Sequence, residues 1–445
     1  LIQVINNFQR HNKTAIKIVD PPPITFKLFT FREWHLLLIK ILDNITFSAL
    51  HVKMLDEKLL QERLAQFNPE PLVEINETKT KEDIESYVNK DDENNIDLAK
   101  TNFLDVLNSE DIKKSCESII RKYGVGTCGP RAFYGTTDVH LELEERIAEF
   151  MCMEEAIVYS YGFVAISSSI AAYCKRKDIV FVDKEANFPI QQGLTAARSN
   201  VVYFDHNDPD SFRKEAQKVA EKEKNRKPAR KFLIVEGVSW KTGKVLPLEE
   251  FLRVAEEFKM RVFLEETYSV GIFGDHGRGL TEHFDIDPTR IDMIIATLES
   301  AIGSIGGFCA GSQTAIEHQR LSGSGYIFSA SLPTYLVQAC LESLKVMGEK
   351  PKQLRALAEE FHDFLKETCK FKVISDSQSA FKVFTVTDED CRVETETKIW
   401  EFCKENGVHF LRNDVGLVVN LNVALRDDKP RLEKVYDVLK RAATL

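Results

Sequence analysis

Six short apolar runs, separated by stretches long enough for helices, constrain this 445-residue chain more than any other feature. They occupy residues 156–159, 179–182, 201–204, 232–235, 262–264 and 293–296. Strands with one wet face alternate apolar and polar residues; uninterrupted apolar runs read as strands buried on both faces. Strands of that kind joined by helical lengths predict a mainly parallel, doubly wound α/β sheet over residues 109–347.

The flanks read differently. Residues 1–71 form an arm punctuated by Pro21, Pro22, Pro23, Pro69 and Pro71. Residues 72–108 are a charged linker in which 84–88 and 96–99, separated by a polar turn, are expected to pair as a hairpin. After Lys350 a helix-like piece runs to Lys370, followed by the alternating Phe381-Lys382-Val383-Phe384, the apolar run 415–423 and a closing helix over 431–443. Residues 348–445 are therefore expected to form a small α+β C-terminal domain. There are no internal repeats.

Net charge is −10, which disfavours nucleic acid as a partner. The nine cysteines include no Cys-x-x-Cys pair, so the expectation is reduced thiols on the cytosolic side and neither a disulfide framework nor a zinc or other metal site. No cleavable signal peptide is evident. Residues 24–52 are apolar-rich, but Lys27, Arg32, Glu33, Lys40 and Asp43 interrupt them. A spanning helix needs about 18 or more consecutive apolar residues. Trp34-His35-Leu36-Leu37-Leu38-Ile39, with its basic flanks, fits either a membrane interface or a helix packed on protein.

Two loops carry the chemical information. Gly124-Val125-Gly126-Thr127-Cys128-Gly129 has the spacing of a dinucleotide-binding loop, but residues 112–123 before it read as helix where that motif requires a strand. Its glycines instead let backbone approach a ligand or a partner chain. The second loop follows the run 293–296 and reads Leu298-Glu299-Ser300-Ala301-Ile302-Gly303-Ser304-Ile305-Gly306-Gly307-Phe308, a tight small-residue segment. Lys241 and Lys244 lie in Ser239-Trp240-Lys241-Thr242-Gly243-Lys244, read as a surface turn with solvated lysines.

These loops, together with residues 261–267 and the Pro130-Arg131-Ala132-Phe133-Tyr134-Gly135 segment, resemble the α-oxoamine synthases, pyridoxal-phosphate enzymes of fold type I that join an amino acid to an acyl-CoA. The resemblance implies an aminotransferase-like large domain. It places Ser300 where the family carries the lysine that binds the cofactor, and a hydroxyl cannot form an imine. It places Glu265 where a carboxylate meets the pyridine nitrogen, Tyr268 at a position held by histidine, Asn187 where a histidine stacks on the ring, and Leu417 near the arginine that grips a substrate carboxylate. An amide has no aromatic face, and leucine cannot pair with a carboxylate.

The strings around residues 123–131, 159–163, 274–279 and 318–323 resemble one branch of that family, the heteromeric serine palmitoyltransferases. There a chain without the lysine pairs with a lysine-bearing catalytic subunit. The pair condenses L-serine with palmitoyl-CoA to 3-ketosphinganine at the cytosolic face of the endoplasmic reticulum membrane, with small regulatory membrane subunits as further partners. The resemblance implies no cofactor on this chain, pyridoxal phosphate on the partner, and a shared interface site near Cys128, Arg131, Tyr134, Ser329 and Ser331. The family's usual N-terminal membrane helix is not matched. An active homodimer using another lysine and a repurposed binding scaffold remain alternative readings.

Overall fold

The computed structural model describes residues 95–445, apart from 225, 226 and 389. The arm over 1–71, its 34–39 segment and the first hairpin strand expected at 84–88 lie outside the described residues.

In chain order the first strands are β1 (Ile96–Asp97), β2 (Glu155–Tyr159), β3 (Ile179–Asp183), β4 (Asn200–Phe204), β5 (Lys231–Glu236), β6 (Arg261–Glu265), β7 (Met293–Thr297) and β8 (Gly307–Gly311). All six expected runs are strands of one seven-stranded sheet, ordered β2-β8-β7-β6-β5-β3-β4. The pairs β3–β4, β3–β5, β5–β6 and β6–β7 are parallel. Helices connect them, as at Gly162–Tyr173, Phe188–Ala197, Pro209–Glu223 and Leu248–Glu257. The doubly wound α/β fold is thus the observed one.

Burial on both faces explains the uninterrupted runs. Along β5, Leu233 and Val235 join one core cluster while Phe232 and Ile234 join the other. Along β7, Ile294 and Ala296 face the first and Met293 and Ile295 the second. Successive side chains point to opposite faces, so two helix layers demand apolar residues at every position.

One strand departs from the sequence reading. The tight loop after β7 ends at Gly306, and Gly307–Gly311 returns as β8, antiparallel to both β7 and β2. Glycines at both ends of this strand conceal it. Gly307 is required there because a Cβ would lie 2.7 Å from the Ala165 Cβ and 2.9 Å from the Gly162 Cα. Of the expected hairpin only the second strand is described: β1 pairs in parallel with β11 (Val408–His409), far along the chain, so 96–97 closes a long-range contact.

The C-terminal part carries β9 (Phe371–Val373), β10 (Phe381–Val386), β12 (Leu411–Arg412) and β13 (Leu417–Asn420) in a four-stranded antiparallel sheet ordered β12-β13-β10-β9. The helices Lys350–Glu367, Arg392–Glu405 and Lys429–Ala442 accompany it. An alternating β10 implies one wet face, yet Lys382 is fully buried. Its Nζ donates to the carbonyls of Asp376 (3.1 Å) and Ser377 (2.7 Å), and burial lowers its pKa to about 7. All nine cysteines are free thiols. Among the described residues no helix is long and apolar enough to cross a membrane, and no group of acidic, histidine or cysteine side chains is arranged to hold a metal.

Candidate functional site

In the large sheet, β3 and β5 are neighbours whose connections run to opposite sides, β3 to the edge strand β4 and β5 towards β6 and β7. Such a switch point opens a crevice beyond the carboxyl ends of the strands. Glu236 ends β5, Glu265 ends β6, Thr297 ends β7, and Asn187 follows β3. The crevice encloses about 310 Å³ and is lined by Phe163, Ile166, Asn187, Phe188, Pro189, Trp240, Thr267, Tyr268, Thr297 and Glu299.

Asn187 is fixed by local rules. It is the N-cap of the helix Phe188–Ala197, accepting from Ile190 N at 3.0 Å with Pro189 in the first turn. That leaves its amide nitrogen to donate to Glu236 Oε1 and Glu265 Oε2, both at 3.2 Å, while its backbone N donates to Glu236 Oε2 at 3.1 Å. The amide bridges two buried carboxylates.

Those carboxylates are held partly against ionisation. Burial, opposed by hydrogen bonds from Thr267 and Asn187, raises Glu265 to about 7. Burial and the charge of Glu265 push Glu236 well above its usual range. Glu266, beneath them, is pushed up by burial while it accepts from Leu280 N at 3.0 Å and from the Ser269 hydroxyl. Tyr268, packed on Phe381 with ring centroids 5.1 Å apart, is pushed up to about 12 by burial and then by Glu265, Glu236 and Glu299.

Ser300 is buried on the loop after β7, beside the crevice-lining Glu299. Among the described residues no lysine lines the crevice. Glu299 Oε1 accepts from Gly162 N at 3.4 Å, the first residue of the helix Gly162–Tyr173, so a carboxylate sits at the positive end of that helix. Lys244 is exposed, but Lys241 is half-buried and differs from the solvated side chain expected. Its ammonium meets Glu185 at 2.5 Å and Asp414 at 2.8 Å. Leu417 is buried on β13 and does not line the crevice.

The glycine-rich loop follows the helix Glu110–Tyr123, so the strand that a dinucleotide motif needs is absent there. Cys128 is exposed, at φ 57 in the left-handed region. Arg131 is buried, forming two parallel 2.9 Å bonds to the Glu144 carboxylate and a 3.0 Å bond to Thr136 Oγ1. Tyr134 is 88% exposed. Ser331 is buried and donates both its N (3.0 Å) and its Oγ (3.1 Å) to Gly129 O, whereas half-buried Ser329 donates to Gly325 O at 2.5 Å. Gly135 allows this closure, since a Cβ would lie 2.0 Å from Gly129 O and 2.1 Å from Ser331 Oγ. Ser160 is tied by its hydroxyl to Ala330 O. The three loops so joined carry Phe133, Tyr134, Tyr161 and Phe328 as exposed aromatic rings, and Phe163, in the first turn of the helix Gly162–Tyr173, packs against Phe188 at 6.0 Å.

A family model described as aminotransferase class I and II matches residues 93–425. "Serine palmitoyltransferase 1" of Dictyostelium discoideum is 36% identical over 366 residues, covering 80% of this chain and 76% of that protein. The chain belongs to the serine palmitoyltransferase 1 family. "Long chain base biosynthesis protein 1c" of Oryza sativa subsp. japonica, in the same family, is 39% identical, covering 68% of this chain and 65% of its own length. The chain spans about half the length of several other serine palmitoyltransferase relatives. Among solved structures, the Sphingomonas wittichii serine palmitoyltransferase superposes with a TM-score of 0.72 at 25% identity, covering 79% of this chain and 87% of that one. The family is thus one of transferases with the fold described above.

Eight lining residues escaped the sequence reading, among them Glu299, Trp240, Phe163 and Phe188. Glu236, beneath the crevice, escaped as well. Glu236 carries the same signal as Glu265, an acid closing an apolar run; the aromatic residues carry no local signal.

Proposed function

We propose that this chain is the non-catalytic subunit of a heteromeric serine palmitoyltransferase. It supports the condensation of L-serine with palmitoyl-CoA to 3-ketosphinganine by a lysine-bearing partner at the endoplasmic reticulum membrane. The observation that carries the reading is Ser300 on the loop beside a crevice with no lysine in its lining.

Pyridoxal phosphate, the cofactor the family implies, does not fit the donors present. Among the described residues no amine lines the crevice to capture its aldehyde. Glu265 is engaged with Asn187 and Thr267. The helix N-terminus that would suit a phosphate already faces the Glu299 carboxylate. On this reading the chain contributes shape. The Arg131–Glu144 pair and the Ser331–Gly129 bonds hold the 124–135 loop, and the exposed Phe133, Tyr134 and Phe328 give a partner chain an apolar, aromatic surface of the kind interfaces favour. Positioning of a catalytic neighbour is the contribution such a surface makes.

The test is co-expression with a lysine-bearing homologue. The complex is expected to turn over and the isolated chain to show neither turnover nor the visible absorbance of a lysine-bound cofactor. Such absorbance in the isolated chain, or failure to co-purify, would refute the proposal.

A further inference from the structure

A second cleft shares no lining residue with the crevice. It is formed by the C-terminal turns of the helices Asp138–Phe150 and Thr334–Lys345 and by the Gly277-Arg278-Gly279 turn, and it encloses about 370 Å³. The turn is closely held. Gly277 and Gly279 have φ 78 and 88, and a Cβ on Gly279 would lie 2.6 Å from Glu266 Oε2. Gly271 N donates to Gly277 O at 2.7 Å, and Gly279 N donates to Phe273 O at 3.0 Å. Arg278 therefore enters the lining of the cleft from a fixed backbone.

The Nε of Arg278 is buried, and among the described residues no acceptor meets it. Its guanidinium forms no ion pair there either. Such a group holds five N–H donors and cannot shed its charge, so a buried donor left without an acceptor is costly. Arg146 and Lys345 also line the cleft, against the single carboxylate of Glu149. Three basic side chains and one acid leave the lining at +2, in a chain whose net charge is −10. Glu149 is already matched by Arg146 at 2.9 Å. The remaining wall is apolar: Leu341 belongs to the core, and Phe150 and Leu344 pack on it.

We propose that this cleft binds a small organic anion, with a carboxylate or phosphate monoester head on Arg278 and a short apolar tail along Phe150, Leu341 and Leu344. The planar fork of a guanidinium suits both heads. The volume falls among ligand pockets, roughly 300–1,000 Å³. The same features reject the alternatives. A cation meets three basic side chains. A bare metal ion finds no cluster of ligands among the described residues. A free inorganic anion leaves the apolar wall in water, and a neutral molecule leaves Arg278 unmatched. The proposal stands whichever subunit performs catalysis.

Calorimetric titration of the full chain with hexyl phosphate, hexanoate, inorganic phosphate and hexan-1-ol, at one ionic strength, tests it. The better of the two hexyl anions is expected to bind at least tenfold more tightly than the alcohol, the size of a charge-assisted hydrogen bond, and its identity names the head group. Inorganic phosphate is expected to bind at least tenfold more weakly than that anion, because it covers none of the wall. Arg278→Met should lower affinity for the hexyl anions at least tenfold and leave hexanol unchanged. Lys345→Gln, at an exposed position that does not threaten folding, should lower it several-fold. No binding of either hexyl anion, equal binding of hexanol or of inorganic phosphate, or indifference of the hexyl anions to both substitutions would overturn the assignment.

Discussion

Removing either partner of the Arg131–Glu144 pair leaves a buried charge alone, and the consequence can be worked from the geometry. The two side chains are 4% and 7% exposed and meet through two 2.9 Å bonds. Glu144 Oε1 also accepts from Val158 N at 2.9 Å, which ties the pair to β2. Arg131→Met strands the carboxylate with one N–H partner, and Glu144→Leu strands the guanidinium with Thr136 alone. Each single change is expected to cost about 3–5 kcal/mol. The double variant loses only the acceptor for Val158 N, about 1–3 kcal/mol, because no isolated charge remains. The single costs therefore exceed the double cost by more than about 3 kcal/mol in sum, a coupling a double-mutant cycle resolves. With a urea m-value of about 3 kcal/mol/M, each single substitution moves the unfolding midpoint down by about 1–1.7 M. Circular dichroism during urea titration of the four proteins measures this. Single effects below about 1 kcal/mol, or effects that simply add, would refute the claim that this pair fixes the 124–135 loop on the sheet.

Three further outcomes are expected. His140 is buried, with Nε2 2.8 Å from Leu332 O, and burial lowers its pKa from 6.5 to about 4. The unfolded chain binds the extra proton first, so stability present above pH 6.5 is lost as pH falls towards 4, by up to about 3 kcal/mol, and His140→Gln flattens that slope in thermal melts. Phe212, fully buried and stacked on Phe251 at 5.5 Å, is expected to cost about 3–5 kcal/mol as Phe212→Ala, read from the denaturation midpoint. Gly135→Ala drives a methyl against Gly129 O and Ser331 Oγ, so limited proteolysis should cut the 124–135 loop faster in the variant while the Phe212 core keeps its protection.

How much of this was legible depended on where each constraint resides. The parallel strands were readable because two-sided burial writes itself as continuous apolar residues, as in Phe232 to Val235. β8 was hidden because close packing under the helix Gly162–Tyr173 selects glycine, which also signals a loop. Ser300 could be read from a single position because one functional group decides the chemistry. Glu299 beside it could not, since its meaning comes from Gly162, 137 residues away. Lys382 misleads for a similar reason: two carbonyls from the preceding turn accept from its ammonium inside the protein. The Arg131–Glu144 pair crosses from a loop to a helix, and neither residue's immediate neighbours announce it.

The position of β8 between β2 and β7 has a consequence for how this protein is made. Among the described residues β2 pairs with β8 alone, and about 150 residues separate them. At roughly 5–20 residues per second, a translating ribosome needs on the order of ten seconds or more to deliver the partner. Throughout that interval β2 is a nascent edge without a neighbour, while β3 to β7 can already assemble. Chaperone dependence during synthesis is accordingly expected to concentrate on the segment that contains β2, and to end once Gly311 has emerged.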